Sequence, residues 1–187
     1  MLDDSGIVRR DIRSSFGDAT TTTAEGVPLT IRLTVRDTAT GDARSGAAVY
    51  LWPCDREGSY SLCSPGLETV NYLRGVQAAD ADGTVTFTTV FPASYSGRWP
   101  HIHFEVYDGV EGATSAGPIV KTSQIALPNE TCETVYRTAG YEQSVATLAQ
   151  VSLGSDMVFG DDGGIHQVAS MSGSTTAGYV AALTIGV

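Results

Sequence analysis

From Pro28 to Asp37 apolar and polar residues alternate without a break, with Leu29, Ile31, Leu33 and Val35 on one side and Thr30, Arg32, Thr34 and Arg36 on the other. Successive side chains of a strand point to opposite faces, so this stretch predicts a strand with one face buried and one face wet. After the turn at Ala39-Thr40-Gly41-Asp42, Ala47 to Trp52 carries a denser apolar run and predicts a more deeply covered strand. Thr84 to Val90 alternates again, after the turn at Asp80-Ala81-Asp82-Gly83. Further strands are expected over 101–107, 118–126 and 178–186, and short helices over Asn129 to Tyr136 and Glu142 to Ser152. A chain of 187 residues, 42% of them hydrophobic, buries enough for one core. The expected architecture is all-β, a two-sheet sandwich with long loops and at most one or two short helices. Residues 1–27 are polar and lack an apolar period, so they predict an N-terminal arm leading into a single domain over 28–187.

The formal charge of −10 argues against nucleic acid or an anionic membrane as a partner, since both call for clustered Lys and Arg. No run of about 18 apolar residues is present to span a bilayer, and the acidic opening Met1-Leu2-Asp3-Asp4 is unlike a signal peptide. Low lysine with abundant Thr, Gly and Ala favours a secreted or extracellular setting over the cytoplasm. Cys54, Cys63 and Cys132 show no CxxC spacing, which excludes zinc ribbons and thioredoxin-like motifs. They leave room for one disulfide and one spare thiol.

The sharpest local feature is His101-Ile102-His103-Phe104-Glu105-Val106. Period-two alternation places both histidines on one strand face and Ile102, Phe104 and Val106 on the other. Two imidazoles so placed can share a metal ion, although a solvated strand face produces the same pattern. Glu105 shares their face and is placed either to support a histidine or to sit exposed. Just upstream, the Pro- and Gly-punctuated loop Phe91 to Pro100 delivers Tyr95 and Arg98, and Tyr60 sits in a second loop, Gly58-Ser59-Tyr60-Ser61. Taken singly, either tyrosine reads as a packing residue. His166, in a Gly- and Asp-rich stretch, has no obvious partner and reads as a surface residue.

Four spaced motifs change the weight of these residues: Leu51-Trp52-Pro53-Cys54-Asp55-Arg56-Glu57-Gly58-Ser59-Tyr60-Ser61, Leu73 to Asp80, the Tyr95 loop and the histidine strand. In this order, over roughly residues 28 to 126, the chain resembles the intradiol ring-cleavage dioxygenases, with the shorter form most similar to their secreted bacterial branch. The resemblance implies a prealbumin-like sandwich acting as a catalytic domain over 28–187. It also implies one non-haem Fe(III) ion per chain, with Tyr60, Tyr95, His101 and His103 as its ligands. Anionic phenolate oxygens suit a hard ferric ion, and neutral imidazoles complete the shell. The small-molecule partners so implied are an aromatic diol and O2, the ring opening between its two hydroxylated carbons to a muconate-type product. Tyr95 matches the tyrosine that the substrate displaces and that takes its proton, and Arg98 and Gln124 match the family's charge-stabilising pair.

Two features of the family are not matched. A Glu-Gly-Pro-Tyr-like N-terminal segment is not found ahead of Leu2-Asp3-Asp4-Ser5, and neither is a helical dimerisation segment. The substrate's ring substituents and the oligomeric state are therefore not implied. A cupin-type site also uses H-x-H, but it needs a glutamate three or four residues after the second histidine, and Glu105 lies two after His103. The remaining rival is a catalytically silent, transthyretin-like binding module, which gives no reason for two tyrosines, two histidines, Arg98 and Gln124 to occur together.

Overall fold

The structure is a computed structural model and describes residues 3–187. Among the described residues eight strands form two four-stranded sheets that pack face to face. The first sheet has the order β4-β1-β8-β7, formed by Thr84–Val90, Pro28–Arg36, Gly178–Gly186 and Ser170–Ser174. The second has the order β3-β2-β5-β6, formed by Gly75–Ala78, Ala48–Pro53, His101–Tyr107 and Lys121–Ala126. All neighbours are antiparallel except β1 and β8.

The alternation in the sequence becomes the core. Leu29, Ile31, Leu33 and Val35 of β1 are buried together with Val85 and Phe87 of β4, and they share one cluster with Val49 and Leu51 of β2 and Ile102, Phe104 and Val106 of β5. This is the expected two-sheet sandwich. Three short α-helices are present among the described residues, where one or two were expected. Asn129–Val135 (α2) and Glu142–Leu148 (α3) fall within the predicted stretches, whereas Val110–Thr114 (α1) follows β5 directly with no N-cap side-chain bond to announce it. Strands β3 and β7 were not foreseen, being short and, in β7, written as Ser-Met-Ser-Gly-Ser without an apolar period. No disulfide forms among the cysteines: Cys54 and Cys132 are buried thiols and Cys63 is exposed.

The segment before β1 touches both sheets. Val8 bridges to Val76 in β3 and Asp11 to Thr88 in β4, so the segment ties together the two edge strands on one side of the sandwich. Ile12 from this segment is fully buried in the main core. Gly75 makes room for it, since a Cβ there would come within 2.5 Å of the Ile12 side chain.

Helices α2 and α3 cover the loop between β4 and β5. Tyr136 Oη donates to Pro92 O (3.1 Å), Tyr141 Oη to Phe91 O (2.7 Å) and Thr147 Oγ1 to Ser94 O (2.7 Å). The same Tyr141 oxygen accepts from Val27 N (3.1 Å), so one buried hydroxyl serves two backbone groups. Tyr141→Phe would leave both groups unpaired in the core and is expected to lower unfolding stability by about 1–3 kcal/mol. Chemical denaturation checks this, and an unchanged midpoint would mean that the loop is held by other contacts.

Candidate functional site

On the outer face of the second sheet, the polar side of β5 meets two loops. Tyr60, Tyr95, His101 and His103 converge there with their polar atoms at mutual contact. Tyr60 Oη lies 3.2 Å from Tyr95 Oη and 3.4 Å from His101 Nε2, Tyr95 Oη lies 3.1 Å from His101 Nε2, and the two histidine Nε2 atoms are 3.1 Å apart. These four residues span 44 positions of sequence, from 60 to 103, and no two are neighbours in the chain.

Each side chain is positioned by identifiable partners. His101 Nδ1 donates to the carbonyl of Trp99 (2.6 Å), which fixes its ring and leaves Nε2 as a lone pair facing the cluster. His103 is stacked on Trp52, its cross-strand partner, with ring centroids 5.0 Å apart and planes 4° from parallel. Tyr50 stacks on Trp52 in turn. Tyr60 sits in a loop whose shape is set by two buried residues. Asp55 accepts from the backbone N–H groups of Glu57 (3.1 Å) and Ser59 (2.8 Å), and from Tyr72 Oη (2.8 Å). Arg74 donates to Ser61 O and Tyr50 Oη (2.6 Å each) and to Ser61 Oγ (3.0 Å). Gly58, with a φ of +86°, brings this loop against the Cβ of Tyr95.

Arg98 and Gln124 stand beside the cluster. Gln124 is the cross-strand partner of His103, its Nε2 lies 3.3 Å from His103 Nδ1, and its Oε1 accepts from Arg98 Nη2 (2.5 Å). Arg98 is held from behind by Asp156, whose Oδ2 accepts from Arg98 Nε (3.0 Å) and from the Trp99 backbone N–H (2.7 Å). Asp156 Oδ1 accepts from Val158 N (2.8 Å) and Phe159 N (3.2 Å). All six predicted site residues are thus brought into one neighbourhood. Glu105 is not part of it and accepts from Tyr107 Oη (2.6 Å) instead.

Sequence reasoning missed Asp156, Arg74 and the Trp52 stack. Asp156 follows a short 3₁₀ turn far downstream, and no spacing rule links it to Arg98. Trp52 was the most accessible of the three, because once β2 and β5 are paired their register places it opposite His103.

Burial governs the protonation of the cluster. It holds His101 near a pKa of about 4, and with the nearby His101 and Arg98 it holds His103 at about 3, so both imidazoles are neutral lone-pair donors at neutral pH. Burial also pushes the Tyr60 and Tyr95 phenols above their ordinary value. Ionising either therefore calls for a compensating positive charge between them. Among the described residues no group of three or more His, Cys, Asp or Glu side chains could hold a metal ion. This cluster instead combines two imidazoles with two phenols, a hard oxygen and nitrogen donor set that fits a trivalent, oxygen-seeking metal.

No protein-family model matches the chain. Solved structures share its fold. An intradiol ring-cleavage dioxygenase from Tetranychus urticae superposes with a TM-score of 0.75 at 25% identity, over 98% of this chain and 87% of that one. The dioxygenase domain of a dioxygenase carbohydrate-binding protein fusion from Streptomyces sp. SirexAA-E gives 0.62 at 20% identity, over 96% and 87%. Catechol 1,2-dioxygenase from Pseudomonas arvilla C-1 gives 0.58 at 18% identity, over 94% of this chain and 55% of that one. The resemblance carried by the sequence motifs is therefore matched in three dimensions by structures of the same class.

The buried Asp156–Arg98 pair yields a stability prediction. Arg98, Trp99 and the 158–159 backbone all lose an acceptor in Asp156→Ala, and the expected cost is about 3–5 kcal/mol. Burial raises the Asp156 carboxyl, but hydrogen bonds from Arg98 and the backbone outweigh it and leave the pKa below the ordinary value. Its stabilisation is thus complete above the unfolded value of about 3.9 and is lost as pH falls through the lower folded value. Acid titration of the unfolding midpoint should show this loss in the native protein and a weaker one in Asp156→Ala. Equal acid sensitivity would refute the assignment.

Proposed function

We propose that this protein is a non-haem Fe(III)-dependent intradiol dioxygenase. It adds both atoms of O2 to a catechol-type ring and opens the bond between the two hydroxylated carbons, giving a muconate-type diacid. The observation that carries this reading is the convergence of Tyr60, Tyr95, His101 and His103 within 3.1–3.4 Å, with Arg98 and Gln124 alongside. The shared fold with ring-cleaving dioxygenases supports the same reaction class.

In this reading Tyr60, Tyr95, His101 and His103 hold the ferric ion. When bound, the ion supplies the charge that keeps the phenols ionised and the centre against which a catechol dianion reacts with O2. The chain's own residues do the rest. His101 and His103 bind as neutral donors, kept so by burial, and the Trp99 carbonyl and the Trp52 ring hold them in place. Tyr95 takes a proton from the incoming diol at its Oη. Arg98 keeps a fixed positive charge beside the ring oxygen on which negative charge develops, and the Gln124 amide supports the same position. Asp156 keeps Arg98 from swinging into solvent, so the charge is already in place when the reaction begins.

The protein loaded with ferric iron should bind about one ion per chain and show a visible tyrosinate-to-iron absorption band that shifts when catechol is added without oxygen. Tyr60→Phe is expected to weaken or remove that band, and His103→Ala to lower iron stoichiometry. Arg98→Ala, read on the loaded protein, should keep the band while turnover falls about 10²–10³-fold. A protein that stays colourless with ferric iron would sink the iron site and leave the silent sandwich as the better reading. With O2 admitted, mass spectrometry of the product tests the position of cleavage, and an extradiol aldehyde product would overturn the intradiol assignment.

A further inference from the structure

Behind β5 and β6, on the face opposite the histidines, lies a cavity of about 640 Å³ that the proposed reaction does not use. Its position follows from strand register. Ile125 pairs with Ile102, Ser123 with Phe104 and Lys121 with Val106, and paired residues share a face. Positions 121, 123 and 125 therefore point between the sheets. Ile125 joins the core as alternation requires, but Ser123 and Lys121 put polar groups where the core pattern calls for apolar ones. Here the core stops and the cavity opens, with Phe104 and Leu183 as its apolar floor.

The polar groups around it are unusual for this chain. Lys121 is the sole lysine in the sequence, and His166 is the one histidine outside the cluster. Both line the cavity, in a protein with a formal charge of −10. Among the described residues Lys121 has no ion-pair partner. At the mouth, Ile165 is left 71% exposed, forming an apolar lip, and Gln167 Nε2 donates to Ser123 Oγ (3.2 Å), joining rim to wall. An inward lysine on an edge strand also discourages pairing with a second sheet. That role accounts for the charge but not for an apolar hollow behind it, whose volume falls within the roughly 300–1,000 Å³ of small-molecule sites.

We propose that this cavity binds a small amphipathic monocarboxylate. Its hydrocarbon body would lie on Phe104 and Leu183, and its carboxylate on Lys121 Nζ, with His166 at the rim. The cation at the wall and the apolar floor select together: a free inorganic anion lacks the body, and an amine is repelled. This proposal is independent of the ring-cleavage reading, because the two sites lie on opposite faces of the second sheet.

The test is a titration of the whole chain with octanoate, followed by amide NMR shifts, with octanol as the uncharged control. The expected result is saturable shifts confined to residues 121–123, 165–167 and 183–186, with octanol binding about tenfold more weakly. Lys121→Gln should weaken octanoate by about tenfold and leave octanol unchanged. Ser123→Phe fills the cavity from its wall and should abolish both, with a thermal melt confirming that the variant is folded; Leu183→Trp serves the same purpose if it is not. Shifts centred on His101 and His103, no saturation at millimolar octanoate, or equal affinity in Lys121→Gln would each overturn the proposal.

Discussion

A slip of one residue in the pairing of β5 would send His101 and His103 into the core and Ile102, Phe104 and Val106 out to water. Burial of the three apolar side chains is worth roughly 1.5–3 kcal/mol each, so the hydrophobic effect fixes the register. The histidines inherit their position from that choice. Pairing with β2 and β6 then brings Trp52 and Gln124 to either side of His103. The backbone placement of the site's strand half is thus a by-product of the core, and the Trp99 carbonyl and the Trp52 ring set how the two imidazoles are turned.

The loop half is different, because Tyr60 and Tyr95 lie outside regular structure. Their placement rests on buried polar groups: Asp55 and Arg74 under the first loop, Asp156 and the Tyr136 and Tyr141 hydroxyls around the second. Such groups are costly to bury and become favourable only when nearly every donor and acceptor is matched, so they impose one conformation sharply. A loop pinned in this way can present a phenol with strand-like precision.

This division also explains what the sequence made legible. The strands β1, β4 and β5 were readable because alternation is a local signal, and the placing of His101 and His103 on one face followed from the same rule. Tyr60 and Tyr95 carried no such signal; only the ordered set of four motifs, through a family resemblance, picked them out from the chain's eight tyrosines. Asp156 and Arg74 stayed hidden because a buried ion pair or hydrogen bond between distant loops leaves no period in the sequence. The three free cysteines show the converse limit, since their spacing allowed a disulfide that the fold does not bring together.

The place of β8 has a consequence for how the chain reaches this state. It is the last strand in the sequence, yet it lies inside the first sheet, parallel to β1 on one side and antiparallel to β7 on the other. Ile31 pairs with Ala181, so the middle of that sheet is joined by residues from opposite ends of the chain. Until β8 docks, β1 shows an open edge and the core lacks Ala181 and Ile185. Contacts of such long sequence separation slow folding, because loop entropy is lost before the pairing repays it. During synthesis the nascent sandwich therefore waits for its final strand, and this interval is when the exposed edge of β1 is most open to pairing with another chain.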